Sequence, residues 1–224
     1  MQQPMTFKTE VTREIRVEYL QHLPQITDGK TYPLVVFLHG AGERGNDLSK
    51  VKVHGIPKLL DEGSELLKGY DFIGISPQCP DDLWWGMLDD ALEMLIEHLI
   101  SALPVDTGRI YLTGLSMGGY GTWALAQRCP NMFAAIAPIC GGTEPSPDKL
   151  AAIKHLPTWV FHGANDTAVP LAQSADAVSV LNNLGANVKF TVYPELEHDS
   201  WTPTYENPVF YEWLFAQRNE QCRP

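Results

Sequence analysis

The chain is short of positive charge. Against 27 Asp and Glu it sets only 16 Lys and Arg, a formal net charge of −11 over 224 residues. A surface of that sign repels phosphate backbones and anionic lipid, so neither nucleic acid nor a membrane surface is expected as a partner. Long apolar runs are missing too, and no stretch approaches the length of a membrane-crossing helix. The opening Met-Gln-Gln-Pro-Met-Thr-Phe-Lys holds no apolar signal-peptide core. A cytoplasmic location is therefore the expectation, with secretion open to a processed or trimmed chain. Cysteine is scarce. Cys79, Cys129, Cys140 and Cys222 show no metal-binding or redox spacing. Three of them sit in apolar segments and read as small core residues, and any disulfide pairing is left open. Repeats, low-complexity tracts and linkers are absent. Residues 1–224 thus read as a single domain, 44% hydrophobic and large enough to bury a core.

What is present is an alternation of two periods. Phe7–Thr12 and Glu14–Gln21 alternate like half-exposed antiparallel strands. Pro33–His39 and Asp71–Ser76 are continuous apolar runs, as expected of strands covered on both faces. Ile110–Thr113, Phe133–Cys140, Thr158–His162 and Val188–Tyr193 supply four more strands. Between them, Leu88–Leu103, Tyr120–Arg128, Leu171–Leu184 and Pro208–Gln217 carry helical spacing. Strands alternating with helices predict an α/β architecture: about eight strands in a mostly parallel, doubly wound sheet with helices on both faces.

The chemistry is expected beyond the carboxyl ends of those strands. Gly114-Leu-Ser116-Met-Gly118 lies between a strand and a helix, the context of a nucleophile elbow. The turn strains the serine backbone, and flanking glycines remove the Cβ atoms that would clash there. An activated serine needs a base, and the base needs an orienting carboxylate. Of seven histidines, only His198 lies in the loop after the last strand. Asp166 lies in a polar turn just beyond the preceding strand, so Ser116, Asp166 and His198 are the catalytic candidates. Asp199, Glu195 and Glu197 are the rival carboxylates, Asp199 being badly placed to orient the ring of its own neighbour. Gly40, Gly42 and Gly45 follow the Pro33–His39 strand, where an oxyanion loop belongs, and the backbone N–H groups of Ala41 and Met117 are assigned to the hole. The same three glycines match a dinucleotide fingerprint. That reading fails for want of a helix opening at Gly45, because residues 46–57 are polar and broken by Gly and Pro. For substrate contact the candidates are Trp85, Gly40 and Trp201. Arg44 reads as a loop ion-pair partner of Glu43 or Asp47.

Together, His39-Gly-Ala-Gly-Glu-Arg-Gly45, Gly114-Leu-Ser-Met-Gly-Gly119, Gly163-Ala-Asn-Asp166 and Glu197-His198 resemble an α/β-hydrolase. The nearest branch is the phospholipase/carboxylesterase-like esterases, related to feruloyl and acetyl-xylan esterases. The resemblance implies a serine carboxylesterase acting on a small-molecule or carbohydrate-linked ester, with no metal and no organic cofactor. Some relatives of this branch are labelled predicted peptidases, so amide cleavage stays open. The dienelactone hydrolases of the superfamily carry Cys as nucleophile, and Ser116 argues against that activity. A non-catalytic binding protein on a hydrolase fold is the alternative from another class. An intact serine, base and acid speak against it. Lipid-active relatives cover the site with an inserted lid, and residues 140–155 are too short and Pro-broken to form one. Oligomeric state is left open.

Overall fold

The computed structural model describes residues 2–10, 12 and 14–219. Among these residues, seven strands form one sheet: β1 (Tyr19–His22), β2 (Tyr32–Leu38), β3 (Ile73–Pro77), β4 (Val105–Leu115), β5 (Ala135–Ile139), β6 (Thr158–Gly163) and β7 (Val188–Tyr193). Their order is β1-β3-β2-β4-β5-β6-β7, with β1 antiparallel to β3 and every other pair parallel. Seven helices accompany them among the same residues: α1 (Gly55–Asp61), α2 (Asp89–Ala102), α3 (Met117–Arg128), α4 (Pro147–Ala151), α5 (Ala172–Asn183), α6 (Trp201–Tyr205) and α7 (Pro208–Ala216). No helix among the described residues is long and apolar enough to cross a membrane.

Side-chain alternation along β2 explains its unbroken apolar run. Leu34, Val36 and Leu38 pack into one core with Leu92, Ile96 and Leu99 of α2, Trp123 of α3 and Leu181 of α5. Val35 and Phe37 point the other way, into a second core with Ile56 of α1, Tyr205 of α6 and Phe210 of α7. A central parallel strand is apolar throughout because both its faces are covered.

The described residues form seven strands, where eight were expected. Residues 7–10 form no strand, and Phe7 is 88% exposed; Val11 lies outside the described residues. Of the second alternating stretch only Tyr19–Gln21 is strand, extended by His22. Alternation fits a strand to a half-buried surface but supplies no partner for its backbone. Only the last residues of that stretch reach the edge of β3. Cys79, Cys129 and Cys140 are buried free thiols. Cys222 lies outside the described residues.

The strand order reverses at β2: the chain runs outward to β3 on one side and to β4 on the other. Loops leaving β2 and β4 therefore diverge and open a crevice at their carboxyl ends, the place where ligands bind in such sheets.

Candidate active site

Ser116 stands in that crevice, between β4 and α3, with φ 53° and ψ −116°. A non-glycine residue rarely adopts such a backbone. It is held there by a hydrogen bond from Ser116 N to Ile139 O, 2.9 Å, and by backbone packing that tolerates no side chains. A Cβ on Gly118 would lie 1.9 Å from Leu38 O, and one on Gly114 would lie 2.4 Å from Gly118 O. The glycines of the elbow let α3 press onto the ends of β2 and β4.

His198 and Asp166 arrive from the loops after β7 and β6. His198 Nε2 lies 2.9 Å from Ser116 Oγ, and His198 Nδ1 lies 2.7 Å from Asp166 Oδ2. Because the carboxylate accepts, Nδ1 carries the hydrogen and Nε2 is left to receive one from the serine. Oδ1 of Asp166 accepts from the backbone N–H of Ala168 and Val169 at 2.9 and 2.8 Å. The structure thus brings the three sequence candidates into one line. Asp199 instead caps α6, accepting from Thr202 N and Thr202 Oγ1 at 3.0 and 2.9 Å, while Glu195 and Glu197 are exposed.

Ala41 opens a 3₁₀ turn, Ala41–Glu43, at the end of β2, and Met117 opens α3 at the end of β4. First-turn amides have no carbonyl partner within their own helix. Leu38 and Gly114 are paired in register, so the two loops leave the sheet side by side. No helix opens at Gly45; a 3₁₀ segment, Leu48–Val53, comes first and α1 begins only at Gly55.

The loop that carries Ala41 is pinned from below. His39 Nε2 accepts from Cys79 N at 3.0 Å and its Nδ1 donates to Gly40 O at 2.6 Å, which fixes the tautomer. Burial lowers His39 to about 4, so the ring stays neutral. Gln78 Nε2 donates to Glu43 O and Asp47 O at 2.8 and 2.9 Å. Trp85 belongs to this scaffold. It is 1% exposed, its ring packs edge-on to His39, and its Nε1 donates to His39 O at 2.9 Å. Trp85, expected at a substrate contact, is buried instead: at an apparent loop position, α3 offers Gly121 as a seat and the indole sinks into it. We expect Trp85→Ala to destabilise the fold by about 3–5 kcal/mol. It should also lower kcat on every ester alike, since His39 loses its anchor. Denaturant unfolding and a comparison of ester chain lengths check both; altered acyl preference at unchanged stability would contradict the scaffold role.

Gly40 is buried beneath the Glu43 carboxylate and the Leu115 side chain, its missing Cβ leaving them room, and it offers backbone alone to a substrate. Trp201 packs its ring edge-on against His198 at 5.3 Å and against His54 at 5.3 Å. Glu43 Oε1 lies 3.9 Å from His54 Nε2. Trp201 Nε1 and Glu43 Oε2 are buried with no hydrogen-bond partner among the described residues. Arg44 pairs with neither carboxylate expected for it. Its Nε donates to Ala41 O at 3.0 Å, Nη1 reaches Leu83 O at 3.4 Å, and the guanidinium stacks over exposed Trp84.

Sequence reasoning missed two neighbours of these three residues. His162, inside β6, lies 3.2 Å from Asp166 Oδ2. Cys140, at φ 39°, closes β5 beneath Ser116, and burial pushes its thiol up to about 12. Cys140, Asp166 and His198 place their donor atoms within 4.8 Å of one another. That cluster needs no metal to explain it, since Asp166 and His198 already bond each other.

Residues 80–208, more than half of the chain and including Ser116, Asp166 and His198, match the dienelactone hydrolase family. The chain belongs to the dienelactone hydrolase family. The match agrees with the α/β-hydrolase resemblance of the motifs, and this member carries serine at the elbow. A poly(3-hydroxyoctanoate) depolymerase of Pseudomonas fluorescens is 31% identical over 51% of this chain and 46% of its own length. A bifunctional acetylxylan esterase/xylanase of Neocallimastix patriciarum is 28% identical over 63% of this chain and 20% of its own. The chain thus spans half or less of the length of these curated relatives. The crystal structure of a thermostable esterase superposes with a TM-score of 0.77 at 35% identity, covering 90% of this chain and 59% of that one. The dienelactone hydrolase family member described here therefore has the α/β-hydrolase fold, with seven strands among the described residues where about eight were expected.

Proposed function

We propose that the protein is a serine carboxylesterase for short-chain, aryl or carbohydrate-linked esters. The observation that carries this reading is the unbroken line from Ser116 Oγ through His198 to Asp166, at 2.9 and 2.7 Å. Ser116 Oγ attacks the ester carbonyl as His198 Nε2 takes the hydroxyl proton. The N–H groups of Ala41 and Met117 meet the charge that develops on the carbonyl oxygen. The tetrahedral intermediate collapses, the alkoxide leaves with the proton from His198, and an acyl-serine remains. Water then attacks the acyl group with His198 again as base, releasing the acid and restoring Ser116. Asp166 holds the tautomer throughout and stabilises the imidazolium.

The surroundings support a short acyl group. Residues 140–155 hold only α4 and lie down on the body of the protein: a Cβ on Gly141 would meet Gly119 at 2.5 Å, and one on Gly142 would meet Gln173 at 2.7 Å. Such a segment offers no apolar underside to a long acyl chain. Aryl acetate and butyrate are expected to exceed palmitate in kcat/KM by more than about tenfold, over 1.4 kcal/mol of transition-state binding. No rate jump should appear above the substrate's solubility limit. A panel of aryl acetate, butyrate, octanoate and palmitate, methyl ferulate, an acetylated xylan and a dipeptide amide tests the reading. Preference for palmitate, or faster amide than ester cleavage, would overturn it.

A further inference from the structure

Behind the line from Ser116 to Asp166 stands a donor that the mechanism does not use. The sulfur of Cys140, a carboxylate oxygen of Asp166 and a ring nitrogen of His198 lie within 4.8 Å of one another. They arrive separately, from the ends of β5, β6 and β7. Thiol, carboxylate and imidazole are together the ligand types of a thiophilic divalent cation.

Two of the three are held in place by the backbone. Asp166 Oδ1 accepts from Ala168 N and Val169 N at 2.9 and 2.8 Å, which leaves Oδ2 to the cluster. Cys140 is entirely buried at φ 39°, and its N–H donates to Phe161 O at 2.8 Å. His198 sits in a loop with 26% of its side chain exposed, so its ring has room to give. A fourth group points the same way. Ser200 Oγ is buried, faces the Cys140 sulfur and has no hydrogen-bond partner among the described residues. A bare buried hydroxyl is costly. Beside a thiolate it gains an acceptor, and beside a cation it is itself a ligand.

The spacing needs one adjustment. Bonds of about 2.3 Å to sulfur and about 2.0–2.2 Å to nitrogen and oxygen set the ligands of a tetrahedral ion roughly 3.3–3.6 Å apart. Nδ1 and Oδ2 stand 2.7 Å apart, because a hydrogen joins them. A retreat of the His198 ring by about half an ångström admits an ion in that hydrogen's place.

Building on the triad reading above, we propose that Cys140, Asp166 and His198 form an inhibitory site for a thiophilic divalent cation, Zn²⁺ or Cd²⁺. The ion takes Cys140 Sγ, Asp166 Oδ2 and His198 Nδ1, with Ser200 Oγ beside the sulfur. Burial holds the free thiol at about 12, and the metal displaces its proton to water by bonding the sulfur directly. The ring keeps its one hydrogen, which passes from Nδ1 to Nε2. Nε2 lies 2.9 Å from Ser116 Oγ and now donates there, so it cannot take the serine's proton. Turnover stops while the crevice in front of Ser116 stays open. Mg²⁺ and Ca²⁺ do not fit, since they seek six or more oxygen ligands.

The experiment follows aryl acetate hydrolysis by the full chain at one pH with Zn²⁺, Cd²⁺ or Mg²⁺, then with a chelator. In parallel, Co²⁺ is titrated and the near-ultraviolet spectrum recorded, because a thiolate ligand adds a charge-transfer band that oxygen ligands do not. Each variant is compared with its own rate in chelator. Zn²⁺ and Cd²⁺ should lower wild-type kcat by more than about tenfold, with KM within about twofold. Chelator should restore the rate, Mg²⁺ should leave it alone, and Co²⁺ should show the band. Cys140→Ser, close in size to the native residue, should lose the band. It should also need about a hundredfold more Zn²⁺ for half-inhibition, since losing even an outer partner of a metal costs ten- to a hundredfold in affinity. Cys129→Ser, at the opposite end of α3, should behave as wild type. A wild type without the Co²⁺ band, or inhibited equally by Mg²⁺, overturns the proposal even if no Cys140 variant folds. So does inhibition that raises KM and spares kcat, or that persists unchanged in Cys140→Ser. The triad reading fails separately: a band lost with Cys140, in a protein whose turnover ignores the metal, upholds the metal site and removes His198 from catalysis.

Discussion

Ser116→Ala is expected to lose five to six orders of magnitude in kcat, roughly the span that a nucleophile supplies when the rest of its site is intact. The melting temperature should scarcely change. The hydroxyl bonds only His198, which is partly exposed and can turn to solvent. A companion variant separates chemistry from strain. Ser116 holds φ 53°, a conformation costly for any residue with a Cβ. Ser116→Gly should therefore be as inactive as the alanine variant yet more stable than it, by about 1 kcal/mol. Aryl acetate hydrolysis, fluorophosphonate labelling and thermal unfolding of the three proteins check the pair. Residual wild-type turnover, or a label on another residue, would remove Ser116 from the mechanism.

Asp166→Asn is the second large effect. An asparagine that kept its carbonyl on His198 Nδ1 would preserve the tautomer. But the Oδ1 position already receives two backbone N–H groups, from Ala168 and Val169. The amide nitrogen cannot face those donors, so it turns toward His198. Nδ1 must then accept, the hydrogen moves to Nε2, and the ring can no longer take a proton from Ser116. A loss of about 10⁴ in kcat is expected at neutral pH, with little change in KM. Asp199→Asn, which touches only the cap of α6, is the control and should stay within about twofold on the same assay. Wild-type kcat in Asp166→Asn would show that another group orients the base.

How much of this was legible in the chain depends on what kind of signal each feature leaves. The central strands could be read because burial on both faces writes an unbroken apolar run, as in Pro33–His39. That Ser116, Asp166 and His198 come together could be read because strand, turn and helix order them along the chain. Trp85 misled for a physical reason. Its environment is made by Gly121, 36 positions away, and no local pattern reports such a seat. The first strand failed likewise: residues 7–10 alternate well but pair with no strand among the described residues. His162 escaped notice because a histidine within an apolar strand run gives no sign that its ring nitrogens meet an acid four residues on. Arg44 was expected to pair with a carboxylate close in sequence, whereas carbonyl oxygens and an exposed indole took its place.

Cys140 bears on how this protein would be assayed at the bench. Its sulfur sits within 4.8 Å of the working atoms of Asp166 and His198, behind the serine rather than in front of it. Alkylating reagents need an accessible thiolate. Burial denies them both, with the thiol pushed up to about 12. A small mercurial that did reach the sulfur would bind where Asp166 and His198 meet, and would stop turnover without touching the nucleophile. In a family that includes members with cysteine at the elbow, such inactivation invites the wrong catalytic class. Sensitivity to thiol reagents is uninformative for this chain, and the nucleophile has to be assigned by a serine-directed label.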